Sequence, residues 1–324
     1  MFIYYITAFA LCLFPHFLSA ATDVSHEKIL ICGVGKNVAI RLSNLIGYME
    51  QFGSYFADYQ ILLYENDSTD ETVDLMNQHA GRNPHIHFVS EKFQDEELFP
   101  RTVRIARARN KVLDMAKNPL YSDYKFLVMT DLDLLRDWAI PEMLVSIQNS
   151  DHWDAVFANG IFANPHFYYD RYAFRNSEYP FGPELLGDHF WDEVFTSWFQ
   201  VLSQTAWIPV YSAFGGFAIY KTSIILHFTY SGTVTDELAE YYQVIAANLP
   251  SSSPHLEYYL NKNGLGGTSR PLPIVFCENS KFERKDLPST PPYTCCEHLP
   301  LHASMALRGY GRFYINPQMV VHYE

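Results

Sequence analysis

Two aspartates separated by a single residue, Asp131 and Asp133, follow the apolar run Phe126-Leu127-Val128-Met129 after Thr130. An unbroken apolar run of that length marks a strand buried on both faces. Carboxylates placed straight after it emerge at the carboxyl edge of a parallel sheet, where open α/β sheets bind ligands. Two hard oxygen donors at that edge suit Mn2+ or Mg2+, which bridges them to a diphosphate. A D-x-D pattern is also common in solvated loops, where one aspartate caps a helix; its position behind a buried strand is what favours the ligand role here. A second acidic run, Tyr64-Glu65-Asn66-Asp67-Ser68-Thr69-Asp70-Glu71-Thr72, follows another strand-like segment. Glu65 and Asp67 are placed to accept hydrogen bonds from a ribose or a base edge, while Ser68 and Asp70 cap and charge-balance the next helix.

These residues need a sheet to hold them, and the chain supplies one. Lys28 to Cys32 is a β-rich run ending in Gly33-Val34-Gly35, and Val38 to Phe56 repeats apolar residues with helical period. Tyr59 to Tyr64 predicts a second strand, and the S-x-x-E spacing of Ser68 and Glu71 predicts a capping box opening a helix through Met76. His85 to Val89 predicts a third strand, Thr102 to Lys117 a helix, and Lys125 to Met129 the strand that delivers Asp131. Strands and helices alternating with short connections predict an α/β fold, a Rossmann-like mixed, mainly parallel sheet flanked by helices. Beyond residue 150 the regularity decays. A strand at 155–158 precedes an aromatic, Pro- and Gly-punctuated stretch to Pro209 that reads as the variable substrate half, its rings serving core packing or a sugar-stacking surface. Phe214 to Tyr220 reads as a strand carrying the pair Gly215-Gly216, followed by a helix to His227. A proline-rich loop at 286–294, a helix from His298 to Arg308 and strands at 313–315 and 319–322 close the chain.

The bulk properties narrow the classes. A chain of 324 residues with 48% hydrophobic and 18% charged content is globular rather than disordered, and one domain spanning 22–324 is expected, its first half about 28–150 and its second about 151–324. A net charge of −13, from 36 acidic and 23 basic residues, argues against nucleic acid as partner, since phosphate backbones select basic surfaces. Residues 1–21 form an apolar, uncharged leader with small residues at Ser19-Ala20-Ala21, read as a signal peptide or signal anchor. It implies the secretory pathway or membrane association through residues 1–20, with the cytoplasm as the alternative. Cys277 is near Cys295 and Cys296 in sequence and pairs with one of them only in an oxidising compartment. The sequon Asn66-Asp67-Ser68 falls in the acidic loop, where a glycan would block a ligand.

Taken in order, the acidic loop at Glu65 to Thr72, the tripeptide Ala108-Arg109-Asn110 and the Asp131-Leu132-Asp133 motif resemble the GT-A nucleotide-sugar glycosyltransferases. A narrower likeness, in Y-E-x-x-S-x-D-x-T and R-N-x-x-L patterns, is to the cryptococcal capsule mannosyltransferase-like group, from which no mannose donor is carried over. The resemblance extends from about Ile29 to His322, its middle third recognisable only by Gly215-Gly216. It implies a metal-dependent hexosyltransferase that moves a sugar from a UDP- or GDP-sugar to a glycan, polysaccharide or other hydroxyl acceptor. It further implies that His322 joins Asp131 and Asp133 at the metal, that Arg109 grips a phosphate and Asn110 orients the loop before the metal, and that Glu297 deprotonates the acceptor if the reaction inverts. Gly215-Gly216 then lets backbone approach the donor sugar, or simply packs tightly. One departure is that Glu297 is followed by His298 rather than a second acid. The competing classes are a metal-dependent nucleotidyl or phosphoryl transferase and a non-catalytic glycan-binding relative. Gly33-Val34-Gly35 lacks the third glycine of a dinucleotide fingerprint.

Overall fold

The computed structural model describes residues 23–93, 99–135, 137–162, 167–194, 205–268, 271–278 and 292–323. The leader and most of the proline-rich loop lie outside them. The described elements are β1 (Lys28–Gly35), α1 (Ala39–Gly53), β2 (Asp58–Asn66), α2 (Thr72–Arg82), β3 (Ile86–Glu91), α3 (Arg101–Ala116), β4 (Phe126–Asp131), α4 (Ile140–Gln148) and β5 (Ala155–Phe162). There follow α5 (Pro183–Leu186), β6 (Ile208–Pro209), β7 (Phe217–Lys221), α6 (Thr222–Ile225), α7 (Asp236–Asn248), α8 (Pro254–Lys262), α9 (His298–Leu307) and β8 (Phe313–Tyr323).

Among the described residues the strands form one eight-stranded sheet in the order β3-β2-β1-β4-β7-β5-β8-β6. The first four strands run parallel, β7 is inserted antiparallel between β4 and β5, and β6 pairs antiparallel with the edge of β8. The alternating side chains of β1 explain why helices cover both faces: Ile29 and Ile31 join the core under α1 and α4, whereas Leu30 and Cys32 join the core under α3, α7 and α9. Each fully buried aliphatic side chain contributes about 2 kcal/mol, so a strand apolar on both sides is held only between two layers. No helix of the described residues is long and apolar enough to cross a membrane.

Three local expectations change. The Ser68–Glu71 spacing does not form a capping box: Glu71 is the N-cap of α2 and makes no side-chain cap bond. The strands expected at 313–315 and 319–322 are one strand, β8, whose register against β5 slips at Ala158/Asn159. Pro317 sits in that irregularity, where a residue without an N–H is tolerated, and its carbonyl accepts from Asn159 Nδ2 at 2.9 Å. Cys277, Cys295 and Cys296 are free thiols, and burial pushes the last two far above the usual thiol range.

Candidate active site

The carboxyl edge of the sheet opens into a cleft of about 360 Å³, within the size range of small-molecule sites. Its floor is the β1–α1 loop, and the acidic run after β2 fixes that loop. Asn37 sits at a φ of 55°, a left-handed conformation in which Asn is one of the tolerated residues. Its Oδ1 accepts from the Thr69 N–H at 2.8 Å, and its own N–H donates to Ser68 Oγ at 3.0 Å. Val38 N–H donates to Thr72 Oγ1 at 2.9 Å and Ala39 N–H to Asp70 Oδ2 at 3.1 Å. The Ser-Thr-Asp-x-Thr residues therefore cap α1, the helix across the sheet edge, which has no cap of its own.

Asp131 ends β4, anchored by its N–H to Gly216 O at 2.9 Å. Its Oδ1 accepts from Arg109 Nη2 at 2.8 Å and its Oδ2 from the Tyr323 hydroxyl at 3.0 Å. Arg109, on α3 and 2% exposed, also donates through Nε to Glu297 Oε1 at 3.1 Å. Burial alone would lower the pKa of that guanidinium, but the carboxylates of Asp131 and Glu297 outweigh it and raise it. Glu297, 6% exposed, is the N-cap residue of α9. One buried cation thus ties the end of β4 to the start of α9, elements distant in sequence.

Asp133 stands exposed at the mouth of the cleft, its carbonyl accepting from Arg41 Nη1. The surrounding walls strip enough hydration from its carboxylate, with Asp131 close by, to raise its pKa to about 6. Asp170 is raised to about 6 as well, chiefly by desolvation and further by Glu297 and Asp131, against the N–H of Gly215 that it accepts at 3.0 Å. Lys36, Arg101 and Arg104 line the same cleft, with Tyr169 stacked on Tyr323 at 3.7 Å between ring centroids. The site therefore sets carboxylates among basic side chains, a distribution that fits an anionic ligand carrying its own cation. Among the described residues no three His, Cys, Asp or Glu side chains gather as a complete metal shell. In the other kind of divalent-ion site, held by one or two carboxylates and completed by water and substrate phosphates, Asp131 and Asp133 would be the carboxylates, with both oxygens of Asp131 already accepting from Arg109 and Tyr323.

Of the residues singled out from sequence, Asp131, Asp133, Arg109 and Glu297 line the cleft together. Glu65, Asp67, Asn110, Gly215, Gly216 and His322 are not among its lining residues. Glu65 is consumed within its loop, accepting from Ser68 N–H at 3.1 Å and from the Ser90 hydroxyl. Asp67 accepts from Phe93 N–H at 3.1 Å and from Asn66 Nδ2 at 2.9 Å, leaving Asn66 as the loop's lining residue. Asn110 clamps the backbone of Tyr230 in both directions, at 2.8 and 2.9 Å. Gly215 and Gly216 have φ of 66° and 84°; a Cβ on the first would strike the Ala158 carbonyl, and on the second the Tyr323 hydroxyl. The pair thus serves tight packing against β5 and β8. His322 and Tyr323 are neighbours on a strand, so they face opposite sides, and it is Tyr323 that reaches Asp131. Sequence reading missed Tyr323, although the buried Met319 and Val321 put it in register with the core face; Asp170, in an irregular stretch, carried no such signal.

No family model matches this chain, and no curated protein does. Among solved structures, a mannosyltransferase from Pyrobaculum calidifontis in complex with GDP-Man and Mn2+ is 16% identical, with a TM-score of 0.39, covering 70% of this chain and 54% of that one. TarS of S. aureus, residues 1–349, is 11% identical with a TM-score of 0.38, covering 73% and 71%. GalNAc-T7 with UDP, GalNAc and Mn2+ is 10% identical with a TM-score of 0.43, covering 93% and 44%. The chain therefore spans about half the length of the first of these, and less than half of the last.

Proposed function

We propose that this chain is a metal-dependent glycosyltransferase that takes a UDP- or GDP-sugar as donor and a hydroxyl group of a glycan or polysaccharide as acceptor. The observation that supports it most is the gathering of Asp131, Asp133, Arg109 and Glu297 around one cleft at the carboxyl edge of the sheet. In this reading Asp131 and Asp133 hold Mn2+ or Mg2+. That ion, when bound, neutralises charge on the diphosphate leaving group. Arg101, Arg104 and Lys36 add positive charge along the same wall, where the diphosphate would sit. Arg109 holds the Asp131 carboxylate in place through Nη2 and the Glu297 carboxylate through Nε. Glu297 is the carboxylate that takes the proton of an acceptor hydroxyl in an inverting reaction. Asp170 is the second candidate base, because a pKa near 6 leaves it ionised at neutral pH yet more basic than an ordinary aspartate. Tyr323 supports Asp131 in this reading through its hydroxyl.

The test is release of nucleotide from a panel of UDP- and GDP-sugars by purified protein, with and without manganese. Metal-stimulated release from one of them supports the reading and identifies the donor. A folded sample that releases nothing, yet binds glycans, would instead be a non-catalytic relative; release of pyrophosphate or inorganic phosphate would make it a nucleotidyl or phosphoryl transferase.

A further inference from the structure

Two buried side chains of the cleft wall carry hydrogen-bonding groups that the protein itself does not use. His298, 1% exposed, stacks on Phe214 with ring centroids 4.0 Å apart, and neither of its ring nitrogens has a hydrogen-bond partner in the protein. Its Nε2 is 3.4 Å from Glu297 Oε1, outside hydrogen-bond alignment. Arg109 uses Nε and Nη2, but its buried Nη1 has no partner. Both residues line the cleft, and Arg109 lies over the same Phe214 ring at 4.3 Å. Helix packing does not force this state. His302, one turn further along α9 and equally buried, has both nitrogens satisfied, by Ser212 Oγ at 2.8 Å and the Tyr220 hydroxyl at 3.0 Å. Leaving a buried polar group unpaired carries a desolvation penalty, so such groups in a cleft wall point to a ligand that pairs them.

The chemistry of the two groups selects that ligand. Burial, and then the Arg109 cation, hold the pKa of His298 well below its usual value, so the imidazole is neutral and presents one donor and one acceptor. Arg109 Nη1 only donates. A phosphate or carboxylate satisfies Arg109 but brings no proton to the acceptor nitrogen and approaches Glu297 against like charge. A carbonyl has no proton to give, and an ammonium is repelled by Arg109. An alcohol hydroxyl accepts from Nη1 and donates to the imidazole at once.

We propose that Arg109 Nη1 and His298 form a subsite for one sugar hydroxyl, with His298 as a specificity-determining residue for the reaction. The inference rests on the glycosyltransferase reading above. The hydroxyl belongs either to the donor sugar or to the acceptor, and both present the same chemistry to this pair.

The experiment compares wild type, His298→Phe and His298→Gln in two assays, with thermal unfolding of each protein alongside. One assay is acceptor-free hydrolysis of UDP- and GDP-sugars; the other is transfer to methyl glycosides. His298→Phe keeps ring size and stacking and removes the unpaired nitrogens, so its Tm is expected at or above that of wild type, while kcat/KM falls about 30-fold. His298→Gln, which retains a donor and an acceptor, recovers part of the loss. A loss already present in hydrolysis assigns the hydroxyl to the donor; a loss confined to transfer assigns it to the acceptor. Undiminished kcat/KM in both assays overturns the subsite, as does a Tm lowered in both variants in proportion to lost activity, which marks a packing role. If His298→Phe does not fold, 15N-histidine-labelled wild type decides: the His298 ring resonances shift when the sugar nucleotide or methyl glycoside is added, and resonances that stay put sink the proposal. No turnover of any sugar nucleotide by wild type is a different failure, since it removes the transferase reading and the subsite with it.

Discussion

Arg109 and Arg175 are both buried arginines paired with a glutamate, at 2% and 1% exposure, yet they are finished differently. Arg175 uses every nitrogen. Its Nη2 reaches both oxygens of Glu184 at 3.0 Å, Nη1 donates to the carbonyls of Tyr172 and Phe174, and Nε donates to the Tyr242 hydroxyl, which in turn donates to Glu184. Gly182 is required beside it, because a Cβ there would collide with the guanidinium. Arg109 divides its bonds between two carboxylates of different elements and leaves its buried Nη1 without a partner in the protein. The first is a knot that orders the irregular stretch bearing Asp170 and Tyr172; the second is a network with one buried donor left over. Two buried ion pairs of similar make-up can thus serve stability or binding, and the count of satisfied donors tells them apart.

The comparison is most exposed to a stability measurement on the knot. Arg175→Met should lower unfolding free energy by about 3–5 kcal/mol, since Glu184 is left as a buried, unpaired charge. A urea titration showing a loss of ~1 kcal/mol or less would break the contrast. Next in size is a purely functional effect: Asp133→Ala should reduce kcat/KM for sugar-nucleotide turnover by roughly 10²–10³-fold, about 3–4 kcal/mol, with the Tm near that of wild type. Retained metal-stimulated turnover would remove Asp133 from the cation site. Arg109→Met should cost about 3 kcal/mol or more of stability, because Asp131, one-quarter exposed, can rehydrate but Glu297 is left buried without its cation, and it should also abolish turnover. Turnover that survives Arg109→Met would show that this network, like that of Arg175, only stabilises the fold.

The smallest effect is in the pH profile. Asp133 and Asp170 have folded pKa values of about 6 against an ordinary 3.8, so between roughly pH 4 and 6 the folded state binds more protons than the unfolded chain. Their contribution is therefore most favourable below that window and is lost as pH rises through it. Asp170→Asn, measured by Tm from pH 4 to 7 without metal, should show a shallower decline than wild type; superimposable profiles would mean that Asp170 is not desolvated.

Much of this arrangement was legible in the chain. The apolar run before Asp131 had to be a doubly buried strand, because no exposed strand tolerates Phe126 to Met129 without polar interruption, and the edge position of Asp131 follows from that. The alternation up to residue 131 likewise predicted the parallel half of the sheet. The helices α7 and α8 passed unnoticed in the second half, since their apolar stripes are interrupted by tyrosines that only burial of their rings explains. The role of Ser68 was misread for a related reason: a hydroxyl three residues before a glutamate matches a local cap, but here it bonds Asn37, a partner 31 positions away.

The sequence by itself determined which residue types stand at the carboxyl edge, because hydrophobic periodicity sets where strands end and a carboxylate cannot remain inside the sheet. Only the tertiary structure decided which of those groups meet. Arg109 joins Asp131 and Glu297 across separations of 22 and 188 residues, and Tyr323 rather than His322 faces Asp131. Such pairings depend on strand parity, register slips and helix placement. A one-residue difference in any of these turns a side chain to the opposite face.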